Sequence, residues 1–123
     1  MKDILTREDI LLIMRKFYDK LLADSSINFF FTQITNTDKH LEEHFETLAT
    51  FWEQSLFLKG GYSNNMFQMH KDVHEKHKLT KEHFNIWLNH LYTTIDKYFV
   101  GENCEQMKTQ ALNIATMMQI KFN

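Results

Sequence analysis

The chain predicts an all-α domain, and three observations carry that expectation. Proline is absent and glycine occurs only three times, where ordinary usage of roughly 5% and 7% would give about six and about nine. Apolar residues recur at helical spacing through every long segment. The breaks between segments come from capping residues and two glycine sites, with no linker, repeat or low-complexity tract. At 123 residues the chain fits a single domain spanning 1–123, large enough to bury one core and too small for two.

Five or six helices follow in order. Thr6 with Asp9 forms a capping-box pattern, and Ile10, Leu11, Ile13, Met14, Phe17, Tyr18, Leu21 and Leu22 then mark a helical stripe that Asp24-Ser25-Ser26 ends. Phe29, Phe30, Phe31 and Ile34 are too short and too apolar a run for a surface helix and predict a buried corner. Thr35-Asn36-Thr37-Asp38 supplies the next N-cap. From Lys39 to about Lys59, Leu41, His44, Phe45, Leu48, Phe51, Trp52 and Leu56 share one face, and Gly60-Gly61 stops that helix. Tyr62-Ser63-Asn64-Asn65 reads as a loop, followed by a short helix from Met66 with Phe67, His70 and His74 on one side. Thr80 caps a helix whose stripe runs Phe84, Trp87, Leu88, Leu91, Tyr92, Ile95 and Phe99 to Gly101. Met107, Ala111, Ile114, Ala115, Met118 and Phe122 line the last one.

Charge and cysteine content exclude several functions. The formal net charge is -2 with the signs interspersed, so no basic stripe is available to neutralise phosphates and nucleic acid is not an expected partner. Cys104 stands alone, which rules out an internal disulfide, and no Cys-x-x-Cys-His exists to attach a haem covalently. Acids occupy the first residues and no 18 apolar residues follow one another, so the expectation is a soluble, cytoplasmic protein without a membrane partner.

Eleven phenylalanines and seven methionines exceed what a small helical core requires and point to a bulky apolar ligand. His44 and His70 each replace an apolar residue in such a stretch, with Tyr18 upstream and Trp87 downstream as the other polar tips able to reach the same interior. Two imidazoles across an apolar cavity suit an iron porphyrin, since imidazole binds iron and the macrocycle needs burial. The group would be non-covalent haem b. His70 would bind iron through Nε2 while Nδ1–H donates elsewhere. Phe31, Leu48, Phe51, Trp52, Phe67 and Leu91 are available to pack the ring, although aromatic stripes at this spacing serve cores more often. His70, His74 and His77 also form a His-x3-His-x2-His face of the kind that holds zinc. His74 and His77, with Lys71 and Tyr62, are alternatively placed to meet haem propionates. His40, His83 and His90 read as solvated positions.

The same residues resemble the truncated haemoglobins, specifically group III. Phe17-Tyr18 looks like that group's distal tyrosine pair, and Phe31 like its haem-packing phenylalanine. Leu41-Glu42-Glu43-His44 through Leu48 to Phe51-Trp52 is similar to its distal helix. Gly61-Tyr62 and His70 look like its loop and proximal histidine, and Phe84-Asn85-Ile86-Trp87-Leu88 like its Phe-x-x-Trp-Leu signature. The stretch from Lys71 to His83 departs from the pattern, being longer and lacking proline.

This resemblance implies the truncated globin fold, a shortened helical sandwich around haem, with Tyr18, His44 and Trp87 as distal groups and His70 on the iron. It implies binding of O2, CO and NO. A donor-rich pocket holds O2 too tightly for oxygen transport, so nitric oxide dioxygenase-like or peroxidase-like turnover with an unidentified reductase is the expected use. His44 is expected to gate the pocket, with ligand association accelerating as pH falls through about 6.5, the unperturbed histidine value. The competing class is a non-haem helical module binding a metal or a protein partner. A hemerythrin-like di-iron site is not available, because the His-x3-Glu and His-x4-Asp sets it needs are missing in the required order.

Overall fold

A computed structural model describes residues 1–61 and 66–122. Five α-helices carry the chain: α1 (Arg7–Ala23), α2 (Leu41–Phe57), α3 (Met66–Lys76), α4 (Lys81–Tyr98) and α5 (Glu102–Phe122). No strand occurs among the described residues. α1 pairs with α2 and α4 with α5, and contacts of α1 with α4 and of α2 with α5 join the two pairs into a helical sandwich. The helical stripes fill it: Ile10, Ile13, Met14, Phe17 and Leu21 from α1, Phe45, Ala49, Trp52 and Leu56 from α2, Leu88, Leu91 and Ile95 from α4, and Met107, Ala111 and Ala115 from α5 are all buried. α3 stands apart. It packs chiefly on α5 and on the corner before α2, and none of its residues is fully buried.

The predicted Thr6–Asp9 capping box forms, and the predicted Thr80 cap is a second one. Asp9 N–H donates to the Thr6 hydroxyl at 3.2 Å while Thr6 N–H donates back to the Asp9 carboxylate at 3.1 Å. At α4 a histidine takes the reciprocal place: Thr80 N–H donates to His83 Nδ1 at 3.1 Å. His83 is therefore a cap and not a solvated residue, and its ring packs edge-on against Phe30. His90 is not solvated either, because its Nε2 lies 2.7 Å from the Asp24 carboxylate and ties the end of α1 to α4.

The connection into α2 differs from the expectation. Phe30–Ile34 forms one wide π-helical turn with Phe30 buried, and the Thr35 hydroxyl closes it by donating to the Phe30 carbonyl at 2.8 Å. Thr35 and Thr37 hydroxyls also bond each other at 2.6 Å. These hydroxyls are thus spent on the corner, and α2 begins instead after His40, whose side chain makes no cap bond. The far end of α2 turns at Leu58, which is left-handed at φ 60°, before Gly60-Gly61 is reached.

α5 is capped from the other end of the chain. Gly101 precedes its first turn without a side chain to offer, and Asp3 supplies the missing carboxylate, accepting from Asn103 N–H at 2.9 Å and Cys104 N–H at 3.1 Å. Gly101 sits at φ +147°, and a Cβ there would overlap the Asp3 carboxyl. Ile4, next along, is fully buried. Asp3→Ala should therefore lower stability to urea by about 0.5–2 kcal/mol, the range for a lost N-cap. Gly101→Ala should cost at least as much, since it adds steric overlap to an unfavourable φ; equal stability of both variants and wild type would refute this account of the cap.

Candidate functional site

Tyr18 on α1 and His44 in the first turn of α2 meet inside the sandwich, with the Tyr18 hydroxyl 2.6 Å from His44 Nε2. The Tyr18 ring is buried and held edge-on by Phe17, Phe31, Phe45 and His44, with ring centroids 5.2–5.5 Å away. Such a cage leaves the phenol no water, so burial raises its pKa and keeps it protonated. Burial likewise pushes His44 down to about 4, with the nearby His70 imidazole adding to the effect. The pair is thus neutral on both sides. One O–H or N–H is shared between the two atoms, and when Nε2–H donates to the phenolic oxygen the tyrosine proton is left free for another acceptor.

His70 faces this pair from α3. Its Nδ1 lies 2.8 Å from the Met66 carbonyl one turn earlier. A carbonyl can only accept, so Nδ1 carries the proton and Nε2 presents its lone pair. The ring keeps accessible surface, yet desolvation by the surrounding protein holds its pKa below the ordinary value against the Met66 bond. A neutral imidazole anchored through Nδ1, with no bond to Nε2 among the described residues, is the donor chemistry that an iron porphyrin requires of its axial ligand.

The predicted wall residues divide. Phe31, Leu48 and Phe51 are only partly buried and pack on the rim of the core, so each retains surface for a further apolar group. Trp52 and Leu91 are sealed within the core itself. Trp87 is half-buried on α4, edge-on to Phe17 at 5.8 Å, and its indole N–H finds no acceptor among the described residues. Phe67 lies against Phe122 with centroids 5.5 Å apart. Tyr62 lies outside the described residues.

His74 and His77 are engaged elsewhere. Leu79 N–H donates to His74 Nδ1 at 3.0 Å and the ring stacks on Phe122 at 4.9 Å, while His77 packs against Phe29 and Phe30. The imidazoles of His70, His74 and His77 therefore meet three different sets of neighbours. Among the described residues no three His, Cys, Asp or Glu side chains converge to hold a metal ion, which removes the zinc reading. The Met66 carbonyl and the Phe45 ring are the site elements missed from sequence. Met66 was legible in principle, since it lies four residues before His70, where a helical carbonyl is within reach of the ring.

The chain aligns over its full length with the crystal structure of a group III truncated hemoglobin from Campylobacter jejuni, with a TM-score of 0.86, covering 96% of that chain at 25% sequence identity. The fold is that of a group III truncated haemoglobin. No family model matches the sequence, and no curated protein matches it. In this chain the long stretch from Lys71 to His83 is not a loose loop: α3 continues to Lys76, and a short link closed by the His74–Leu79 bond leads to the Thr80 cap. No helix is long and apolar enough to cross a membrane among the described residues.

The pH window expected of His44 moves accordingly. A proton that an ordinary imidazole takes up near 6.5 reaches His44 only near 4, so its NMR titration in the ligand-free protein should have its midpoint near 4. The stability consequence has a definite sign. The unfolded chain binds this proton first, so the contribution of neutral His44 is whole above about 6.5 and is lost as pH falls toward 4. Urea midpoints should drop across that window, and drop less in His44→Leu. A His44 midpoint near 6.5 would contradict its burial.

Proposed function

We propose that this chain binds non-covalent haem b and takes O2, CO or NO at the iron, serving O2/NO or peroxide redox chemistry with an external reductase and not bulk oxygen transport. The single observation that carries this reading is the orientation of His70: Nδ1–H is committed to the Met66 carbonyl, which leaves Nε2 directed as a ligand. The group III truncated haemoglobin fold supports it. When bound, haem supplies an iron whose sixth position accepts a small diatomic ligand.

This chain's own residues would do the rest. Phe31, Leu48 and Phe51 would enclose the macrocycle with the surface they retain beyond the core. Tyr18, with its proton released when His44 donates to it, and Trp87, with its uncommitted indole N–H, would present donors to the distal side. A neutral phenol is required for that task, and burial keeps it neutral. Donors that favour negative charge on a bound oxygen slow its release and polarise an O–O bond, which suits turnover better than delivery.

Two measurements test the reading. His70→Ala should lose haem, or hold it only with added imidazole; a Soret band and haem content equal to wild type would overturn the assignment. Tyr18→Phe should release O2 about tenfold faster or more, the worth of one hydrogen bond to a charged acceptor. CO dissociation should change far less, because bound CO carries little negative charge. Equal O2 release in wild type and variant would reduce Tyr18 to core packing.

A further inference from the structure

α2 carries three stripes, and their spacing sets up a lever. At 100° per residue, Phe45, Ala49, Trp52 and Leu56 form the buried central stripe. His44, Leu48 and Phe51 lie along one edge of it, and Glu42, Glu46, Thr50 and Glu53 along the other. The two edges face in nearly opposite directions. A small roll of α2 on its apolar stripe would therefore move His44 whenever the acidic edge moves.

α1 grips both edges. Tyr18 holds His44 on one side. On the other, Arg7 in the first turn of α1 engages four acceptors spread over two turns of α2. Its Nη2 donates to the Glu46 carboxylate at 2.6 Å and to the Glu46 carbonyl at 3.0 Å. Its Nη1 donates to the Thr50 hydroxyl at 3.3 Å and to the Glu53 carboxylate. Glu53 is largely buried and has only Lys59, at 3.5 Å, as a further cation. Arg15 and Glu42 also pair along this edge, but at 3.4 Å between exposed side chains, where an ion pair contributes little. The planar fork of Arg7 is the strong attachment, because it fixes direction as well as distance.

We propose that Arg7 is a positioning residue for the distal pair: by clamping the acidic edge of α2 it sets the helix roll that brings His44 Nε2 to the Tyr18 hydroxyl. The proposal rests on the haem-globin reading for its ligand-binding consequence, but its structural half stands without haem. Arg7 touches neither His44 nor Tyr18, so its influence must travel through the rigid helix. Substitutions that loosen the clamp should weaken the Tyr18–His44 bond and nothing else in the pocket.

The experiment compares Arg7→Met, Arg7→Lys and Glu46→Gln, each in wild-type and Tyr18→Phe backgrounds. In the ligand-free protein, the His44 ring nitrogen resonances should shift on Arg7→Met in the direction produced by Tyr18→Phe, and should not shift further when both changes are combined. In the haem-loaded protein, Arg7→Met should speed O2 release by about threefold or more, with no added effect in the Tyr18→Phe background. Arg7→Lys keeps the charge without the fork and should fall between. Glu46→Gln removes one exposed partner, leaves the core untouched, and should act in the same direction to a smaller extent, so it decides the matter if the Arg7 variants fold poorly. Unchanged His44 resonances, or an O2 effect equal in both backgrounds, would overturn the proposal. If wild type takes up no haem, the functional reading fails while the nitrogen resonances still decide the role of Arg7.

Discussion

Burying ionisable side chains in an apolar interior is tolerable only when each is neutral and each has a partner, and the arrangement of this molecule follows from that constraint. Tyr18 stays a phenol because aromatic rings surround it. His44 stays neutral because it shares the same interior, and it is satisfied because the phenol reaches it. His70 is neutral for a related reason and satisfies its protonated nitrogen locally, on the carbonyl one turn back. No buried side-chain polar atom is left without a partner among the described residues.

The constraint also explains the different uses of five of the seven histidines. His44 meets the Tyr18 hydroxyl through Nε2, and His70 holds its own helix carbonyl through Nδ1. His83 closes a capping box, His90 ties α1 to α4 through Asp24, and His74 seals the link from α3 to α4. A histidine is small enough to cap, flat enough to stack and basic enough to pair, so these structural uses compete with ligand roles for the same residue type. His70 is set apart by an Nδ1 committed to the carbonyl one turn back, and His44 by an Nε2 that meets the Tyr18 hydroxyl.

Tertiary packing distributes precision unevenly. The two helix pairs share a closed core, whereas α3 rests chiefly on α5 and the corner. Tyr18 is therefore held by fully buried neighbours, while His70 is oriented mainly by its own helix. On the proposed haem reading, a side chain on a lightly packed helix can adjust its height to the group it binds, and Phe31, Leu48 and Phe51 retain apolar surface beyond the core.

Sequence alone determined the helical class, the order of the helices, the Thr6–Asp9 capping box, the Thr80 cap and the stripe residues of the core, because each depends on spacing within one segment. It also made His44, His70, Tyr18 and Trp87 legible as polar tips on apolar faces. Only the tertiary structure decided the rest. Asp3 caps α5 across about a hundred residues, Thr35 and Thr37 are diverted from α2 to the corner, Trp52 and Leu91 are sealed within the core, and Arg7 reaches the far edge of α2. The Asp3 cap, the core burial and the Arg7 clamp are partnerships between distant segments, and at the corner the choice between two local uses of the threonines is made by geometry that no local pattern encodes. The downward displacement of the His44 pKa belongs with them, since desolvation depends on what the whole fold places around the ring.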